Sequence, residues 1–226
     1  MGSLQVTVRP AERTDVSATA EVMARAFEHD PLCAHILRRA ASRRQRLRRY
    51  FVTMLRREAV PLGTTDVALA DGRIVGAAIW KPPGLWLPPM SVQLATLPSY
   101  LAAYRRDFGR AFRVESVLVK EHPQTEPHWY LQGIGTEPEL HGRGIGAALL
   151  GFRLARADEA GQAAYLESSN PANVSLYLRF GFEVTGLLGC SEGAPPVTKM
   201  WRPAAHRDAP PDGDEGTDGL RGRGDG

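Results

Sequence analysis

The sequence predicts one α/β domain in which strands and helices alternate, and three stretches carry that expectation. Residues 67–70 and 73–80 read as apolar strands about Asp71-Gly72, because Asp-Gly accepts the positive φ that a two-residue hairpin turn needs. Residues 129–136 are extended, and a polar turn leads from them into His141-Gly142-Arg143-Gly144-Ile145-Gly146 and then the apolar run of Ala147, Leu149 and Leu150. Leu166-Glu167 is followed by Ser168-Ser169-Asn170-Pro171, a capping residue ahead of a proline at the first helical position.

Size and composition set the frame for these elements. A chain of 226 residues with 43% hydrophobic content can bury one sizeable core. No window approaches ~20 consecutive apolar residues, and the N-terminus lacks a basic start and an apolar core, so a cytoplasmic protein without a membrane span is expected. Cys33 and Cys190 stand far apart without metal spacing, as small apolar residues in a reduced compartment do. The net charge of +3 conceals an acidic end: residues 203–226 carry three arginines against six acids. Rich in Gly, Pro and Asp, that tail is expected to be disordered, which leaves 4–202 as the domain. Its Arg223-Gly224-Asp225 triplet reads as chance.

In chain order, Val6 and Val8 suggest a first strand. Thr14 then reads as the N-cap of a helix carrying Val16, Ala20, Met23 and Phe27 on one face, ended by Pro31. A second helix over 42–59 shows a stripe of Leu47, Tyr50, Phe51, Met54 and Leu55. Nine arginines and no acid fall between Pro31 and Arg57. They read first as a solvated face and second as a funnel for an anionic ligand. Nucleic acid comes last, since no base-reading aromatics accompany them. Between 82 and 127, two helices (91–106 and 110–121) are expected as an insertion. After the glycine cluster a helix runs to Ala160 and Gly161, a strand spans 163–167, a helix spans 172–180, and strands at 182–188 and 197–201 close the sheet.

The glycine cluster points to chemistry. Glycines let a backbone approach a ligand, and the helix start behind them directs free N–H groups and a partial positive charge outward. The spacing is not the G-x-G-x-x-G of a dinucleotide loop, and Gly-Lys-Ser/Thr is absent. A tight strand-to-helix turn without a ligand is the plain alternative.

His141-Gly142-Arg143-Gly144-Ile145-Gly146 resembles the Gln/Arg-x-x-G-x-G/A loop of the GNAT superfamily of acetyl-CoA-dependent N-acetyltransferases, with His141 in the place of Gln or Arg. The block of residues 166–182, with Asn173, Tyr177, Gly181 and Phe182, is similar to that superfamily's N-x-x-x-Y-x-x-x-G-F signature. With His128-Trp129-Tyr130-Leu131 it looks like the puromycin N-acetyltransferase branch in particular. The resemblance implies a mixed, splayed sheet of about seven strands flanked by helices, with the 82–127 insertion before the fourth strand lining the acceptor side. It implies pyrophosphate held by His141, Gly142, Arg143, Gly144, Ile145, Gly146 and Ala147, and the pantetheine arm beside Ile134, Gly135 and Thr136. Asn173 and Tyr177, four apart, would share a helix face, with Tyr177 at the sulfur as the acid. Glu167 is the first choice of base and Glu137 the second, with the oxyanion held near Ile134. Trp80, Trp86 and Trp129 are candidates for the acceptor pocket, and His128 and His141 read as structural or peripheral.

The expected activity is transfer of acetyl from acetyl-CoA to a small-molecule amine, an antibiotic or secondary metabolite, by a monomer or homodimer that needs no metal, no membrane and no nucleic acid. Acetylation of protein N-termini or lysines is the alternative with the same chemistry, and a non-catalytic acetyl-CoA sensor is the alternative from another class.

Overall fold

Seven strands form one sheet in the computed structural model, which describes residues 4–205. The expected tail lies outside the described residues from 206 onward, as does its Arg-Gly-Asp triplet. The strands are β1 (Thr7–Pro10), β2 (Thr65–Ala70), β3 (Arg73–Lys81), β4 (His128–Thr136), β5 (Ala163–Ser168), β6 (Glu183–Leu188) and β7 (Val197–Arg202), in the order β1-β2-β3-β4-β5-β7-β6. Only β4 and β5 are parallel. That pairing requires a crossover, and α6 (Ile145–Glu159) supplies it. The β2–β3 turn forms as expected, with Asp71 at φ 49° and Gly72 at φ 72°.

Alternate residues of the sheet feed two cores. On one face α1 (Val16–Ala26) and α3 (Ala40–Met54) bury Ala20, Met23, Leu47 and Phe51 against Val67, Ala77 and Ile79. On the other, Leu149, Leu150 and Leu154 of α6 cover Ala68, Ala78, Trp80, Leu131 and Leu166. Gly135 is required for the first packing, because a Cβ there would stand 2.6 Å from Ala26 Cβ. A buried ion pair fixes the second: Arg153 of α6 donates to Asp66 of β2 at 2.8 and 2.7 Å.

The first half of the chain departs from expectation in four places. A 3₁₀ turn (Arg13–Asp15) precedes α1 in place of a Thr14 cap, and Glu12 and Asp15 close a capping box on it, Asp15 accepting from Glu12 N–H at 2.8 Å while Arg9 grips its carboxylate. α1 ends at Ala26, short of Pro31, and Pro31 begins another helix, α2 (Pro31–Ile36), where Asp30 accepts from Cys33 N–H at 2.9 Å. The end of α3 widens into a π turn (Leu55–Ala59), with Val60 N–H bonded to Leu55 O at 3.0 Å.

The arginine face, fourth, is only partly solvated. Arg43 is buried and donates to Leu37 O and Glu28 O. Arg46 is buried too, and ties down the carbonyls of Ala103 and Tyr104 and the carboxylate of Asp107. A guanidinium offers five donors, enough to satisfy the carbonyls at the end of a packed helix. That helix is α4 (Met90–Tyr104), which forms the insertion with α5 (Phe108–Glu121).

Candidate active site

The sheet opens where β4 and β5 part. They pair only from His128↔Ala163 to Leu131↔Leu166. Beyond that point β4 stays with β3 as far as Thr136, and β5 stays with β7 as far as Ser168. Gln132 and Glu167 are therefore the first residues on the two sides of the gap. Gln132 is also an extra residue in its strand, since Ile79 pairs with Gly133 and Trp80 with Leu131. Ile134, Gly135 and Thr136 line the β4 side of the gap, where β5 leaves their strand edge uncovered.

The glycine loop stands beyond the end of β4. Gly142 and Gly144 adopt φ 77° and 80°, and space is open where a side chain would stand on either. His141, Gly142, Arg143 and Gly144 are exposed. Gly144 caps α6 with no side-chain bond, so the first N–H groups, those of Ile145, Gly146 and Ala147, remain available to an anion. Ile145 anchors this start of the helix: its side chain is buried against β3, and a Cβ on Gly76 would lie 2.8 Å from Ile145 Cγ2. The uncapped helix, the open glycines and Arg143 together fit a pyrophosphate. Glu137, beside this loop, lies 3.1 Å from Arg25, which also grips Glu139.

Glu167 is half-buried on β5, and desolvation lifts its carboxyl to about 7 although the nearby Tyr130 and Tyr165 hydroxyls favour the charged form. Neither Glu167 Oε1 nor Gln132 Oε1 has a hydrogen-bond partner among the described residues, and both atoms are buried. Two orphaned acceptors at the mouth of a gap are an arrangement suited to N–H groups of a ligand. Tyr177 sits on α7 (Val174–Leu178) in the opposite core, against Phe182 with ring centroids 6.1 Å apart. Burial and the neighbouring Asp30 push its phenol up, which keeps it protonated at neutral pH. Asn173 lies one turn earlier, in a 3₁₀ turn, and is exposed where Tyr177 is buried. Glu167 and Tyr177 thus lie on opposite faces of the sheet.

A cavity of about 490 Å³ adjoins the gap on the insertion face, and Tyr130 and Gln132 form its β4 wall. Glu58 reaches it from the π turn, held by Lys81 at 3.0 Å and by the Tyr100 hydroxyl at 2.5 Å. Glu115 reaches it from α5. Of the three tryptophans only Trp86 lines the cavity. Trp80 is fully buried under α6, and Trp129 donates to Gln162 at 2.7 Å beneath Arg153.

Sequence reasoning did not find Gln132, Glu58 or Glu115. A glycine pair in a strand hinted at the bulge beside Gln132, but nothing local marked the two glutamates. Both cysteines are free, with thiols pushed up by burial, Cys190 to about 11. Among the described residues no group of three or more His, Cys, Asp or Glu is placed to hold a metal ion. Among them, too, no helix is long and apolar enough to cross a membrane.

A histidine pair closes the back of the cavity. His128 Nδ1 lies 2.6 Å from the Glu126 carbonyl, which can only accept, so His128 Nε2 accepts from His122 Nε2–H at 3.1 Å. Trp86 stacks on His122 at 4.0 Å. Burial, and then His128, depress His122 to about 4 from the ordinary 6.5. Because the folded state favours the neutral ring, the unfolded chain binds more protons between these values, and stability is lost as pH falls from 6.5 towards 4. Thermal melts across that range are expected to show this slope, and His122→Phe, which keeps the stack, to flatten it.

The comparisons with known proteins agree with this geometry. A profile of the Acetyltransferase (GNAT) family matches residues 26–182. A solved structure from Corynebacterium glutamicum, described as histone acetyltransferase HPA2 and related acetyltransferase, superposes with a TM-score of 0.66 at 26% identity, covering 90% of this chain and 99% of its own. A Drosophila melanogaster polyamine N-acetyltransferase is similar at TM-score 0.55 and 18% identity, over 88% of this chain and 100% of that one. The paia N-acetyltransferase of Thermoplasma acidophilum, solved with coenzyme A, gives 0.57 at 14% identity over 88% and 99%. A seven-stranded mixed sheet parted between β4 and β5, an uncapped glycine loop at the gap and the match over most of the domain have one reading: the chain belongs to the GNAT family of acetyltransferases.

Proposed function

We propose that this chain transfers the acetyl group of acetyl-CoA to a primary amine of a small molecule, with Glu167 as base and Tyr177 as acid. The observation that carries the reading is the position of Gln132 and Glu167. They are the first residues of the parted strands, their buried oxygens lack partners, and Gln132 also lines the cavity. Acetyl-CoA supplies the activated acyl group as a thioester. Gly142–Ala147 and Arg143 would hold its pyrophosphate, Ile134–Thr136 its arm, and Asn173 is the remaining contact on the α7 side.

An alkylamine with pKa near 10.4 costs about 4.6 kcal/mol to present uncharged at pH 7. Gln132 Oε1 orients the nitrogen. Glu167, poised near neutrality, takes the proton that the nitrogen sheds as the C–N bond forms. Backbone N–H near Ile134 holds the oxyanion. As the C–S bond breaks, the Tyr177 hydroxyl returns a proton to sulfur. A cavity walled by the 82–127 insertion suits a small acceptor better than a folded protein. The likeness to the puromycin N-acetyltransferase branch supports an antibiotic or secondary metabolite as that acceptor, modified in the cytoplasm by a monomer or homodimer. Similarity to structures named for polyamine and agmatine acetylation supports amines generally.

The test is acetyl-CoA-dependent thiol release with product mass across aminonucleosides, aminoglycosides, polyamines and peptides. A small amine is expected to be acetylated, with Tyr177→Phe ~10²-fold slower. An unaffected variant removes Tyr177 as the acid. Acetyl-CoA binding without turnover across the panel favours a sensor instead.

A further inference from the structure

The cavity beside the gap has an unusual lining. Its walls are apolar, and Met90, Leu94 and Phe112 are 66%, 63% and 61% exposed, because they face into it rather than into a core. Tyr50 meets Tyr100 and Tyr104 at centroid distances of 5.5 and 5.7 Å, forming an aromatic corner. Exposed apolar area of this kind is covered by a ligand with an apolar body.

Within these walls are two carboxylates with different circumstances. Glu58 is compensated by Lys81 and by the Tyr100 hydroxyl. Glu115 has no ion pair or hydrogen bond among the described residues; it is exposed and lines the cavity from α5. It lies within electrostatic reach of Glu58 and of Lys81, which is already paired with Glu58, and of Glu167 and the Tyr50, Tyr100, Tyr104 and Tyr130 rings. A carboxylate with no ion pair of its own on an apolar wall offers a charge-assisted hydrogen bond to a cationic group of a ligand. The tyrosine faces add attraction for the same charge.

Glu115 is poorly suited to hold the reacting nitrogen. Glu167, at the parting of β4 and β5, already serves the reacting nitrogen, and Glu115 stands apart from it on α5. The cation at Glu115 is therefore a different one.

Resting on the acetyltransferase reading above, we propose that the acceptor is an amine with an apolar, ring-bearing body and a second cationic centre. Its reactive nitrogen lies at Gln132 and Glu167, and its second cation lies against Glu115 in the tyrosine corner. Each end supplies what the other lacks: the gap removes a proton, and the cavity keeps one.

The experiment compares three amines at saturating acetyl-CoA: an aralkyl monoamine, the same frame with a second amino group, and an unbranched aliphatic diamine. The ring-bearing diamine is expected to have the highest kcat/KM. Glu115→Gln, of the same shape, is expected to lower it about 10- to 100-fold, mainly through KM, as loss of one charged hydrogen bond allows. The monoamine should change less than about 3-fold. Equal use of monoamine and diamine overturns the proposal, and so does an equal loss for both in the variant. Calorimetric binding of the ring-bearing diamine separates this failure from failure of the acetyltransferase reading. Binding that weakens in Glu115→Gln without any turnover keeps the second-cation site and discards the chemistry. Absence of binding to a wild-type protein with an unchanged melting temperature discards the site.

Discussion

Replacing Glu167 by glutamine is expected to lower kcat/KM for amine acetylation by about 10²- to 10⁴-fold, the range for loss of a positioned base. The shape of the site survives, because glutamine keeps the volume and the β5–β7 pairing of Glu167 with Lys199 uses only the backbone. The sharper signature is in the pH profile. With its carboxyl raised to about 7, Glu167 is mostly protonated below neutrality and cannot accept a proton there. The wild-type rate should rise through pH 7, and Glu167→Gln should lack that limb while retaining the later rise from ionisation of the amine. A variant that is slow but keeps the limb assigns the titration to another group. A variant that is not slow removes Glu167 from the chemistry.

Asp66→Ala is expected to destabilise the domain by about 3–5 kcal/mol, because it leaves Arg153 charged, buried and without its bidentate partner. For a domain of this size that corresponds to a fall in Tm of roughly 6–20 °C. Burial raises the Asp66 carboxyl even beside the guanidinium, a sign of how little water reaches the pair. The loss is specific to breaking the pair. Asp66→Leu combined with Arg153→Met, which replaces both charges with apolar volume, should recover most of it. Equal loss in the double variant would mean that packing of α6 on β2, not the charge, is what matters. Since α6 carries the glycine loop at its start, Asp66→Ala should also weaken acetyl-CoA binding.

Much of this site was legible before any coordinates. The hairpin at Asp71-Gly72, the glycine loop, the capped start at Asn170-Pro171 and the seven-strand count follow from local rules: positive φ, free N–H groups, and periods of 2 or 3.6. These properties belong to a few consecutive residues, so sequence determines them. The position of Glu167 at the end of β5 is of this kind as well.

Other features were settled by chain segments far apart in sequence. Arg43 and Arg46 read as solvated, and are buried because carbonyls of Glu28, Leu37, Ala103 and Tyr104 converge on them. Trp80 and Trp129 read as pocket residues, but the register of β3 and β4 turns them to the α6 face. Thr14 falls within a 3₁₀ turn whose capping box is made by Glu12 and Asp15, and Arg9 holds Asp15 from the preceding strand. The parting of β4 and β5 depends on β3 and β7 each keeping its partner beyond Leu131 and Leu166. Glu115 lies on α5, and only the packing of α4 and α5 beside Tyr130 and Gln132 brings it to the wall of a cavity. The sequence by itself determined that this chain folds as an acetyltransferase and where it offers backbone to an anion. Tertiary structure decided which carboxylates line the gap and the cavity, because burial and proximity across a sheet depend on the whole fold and not on neighbours in the chain.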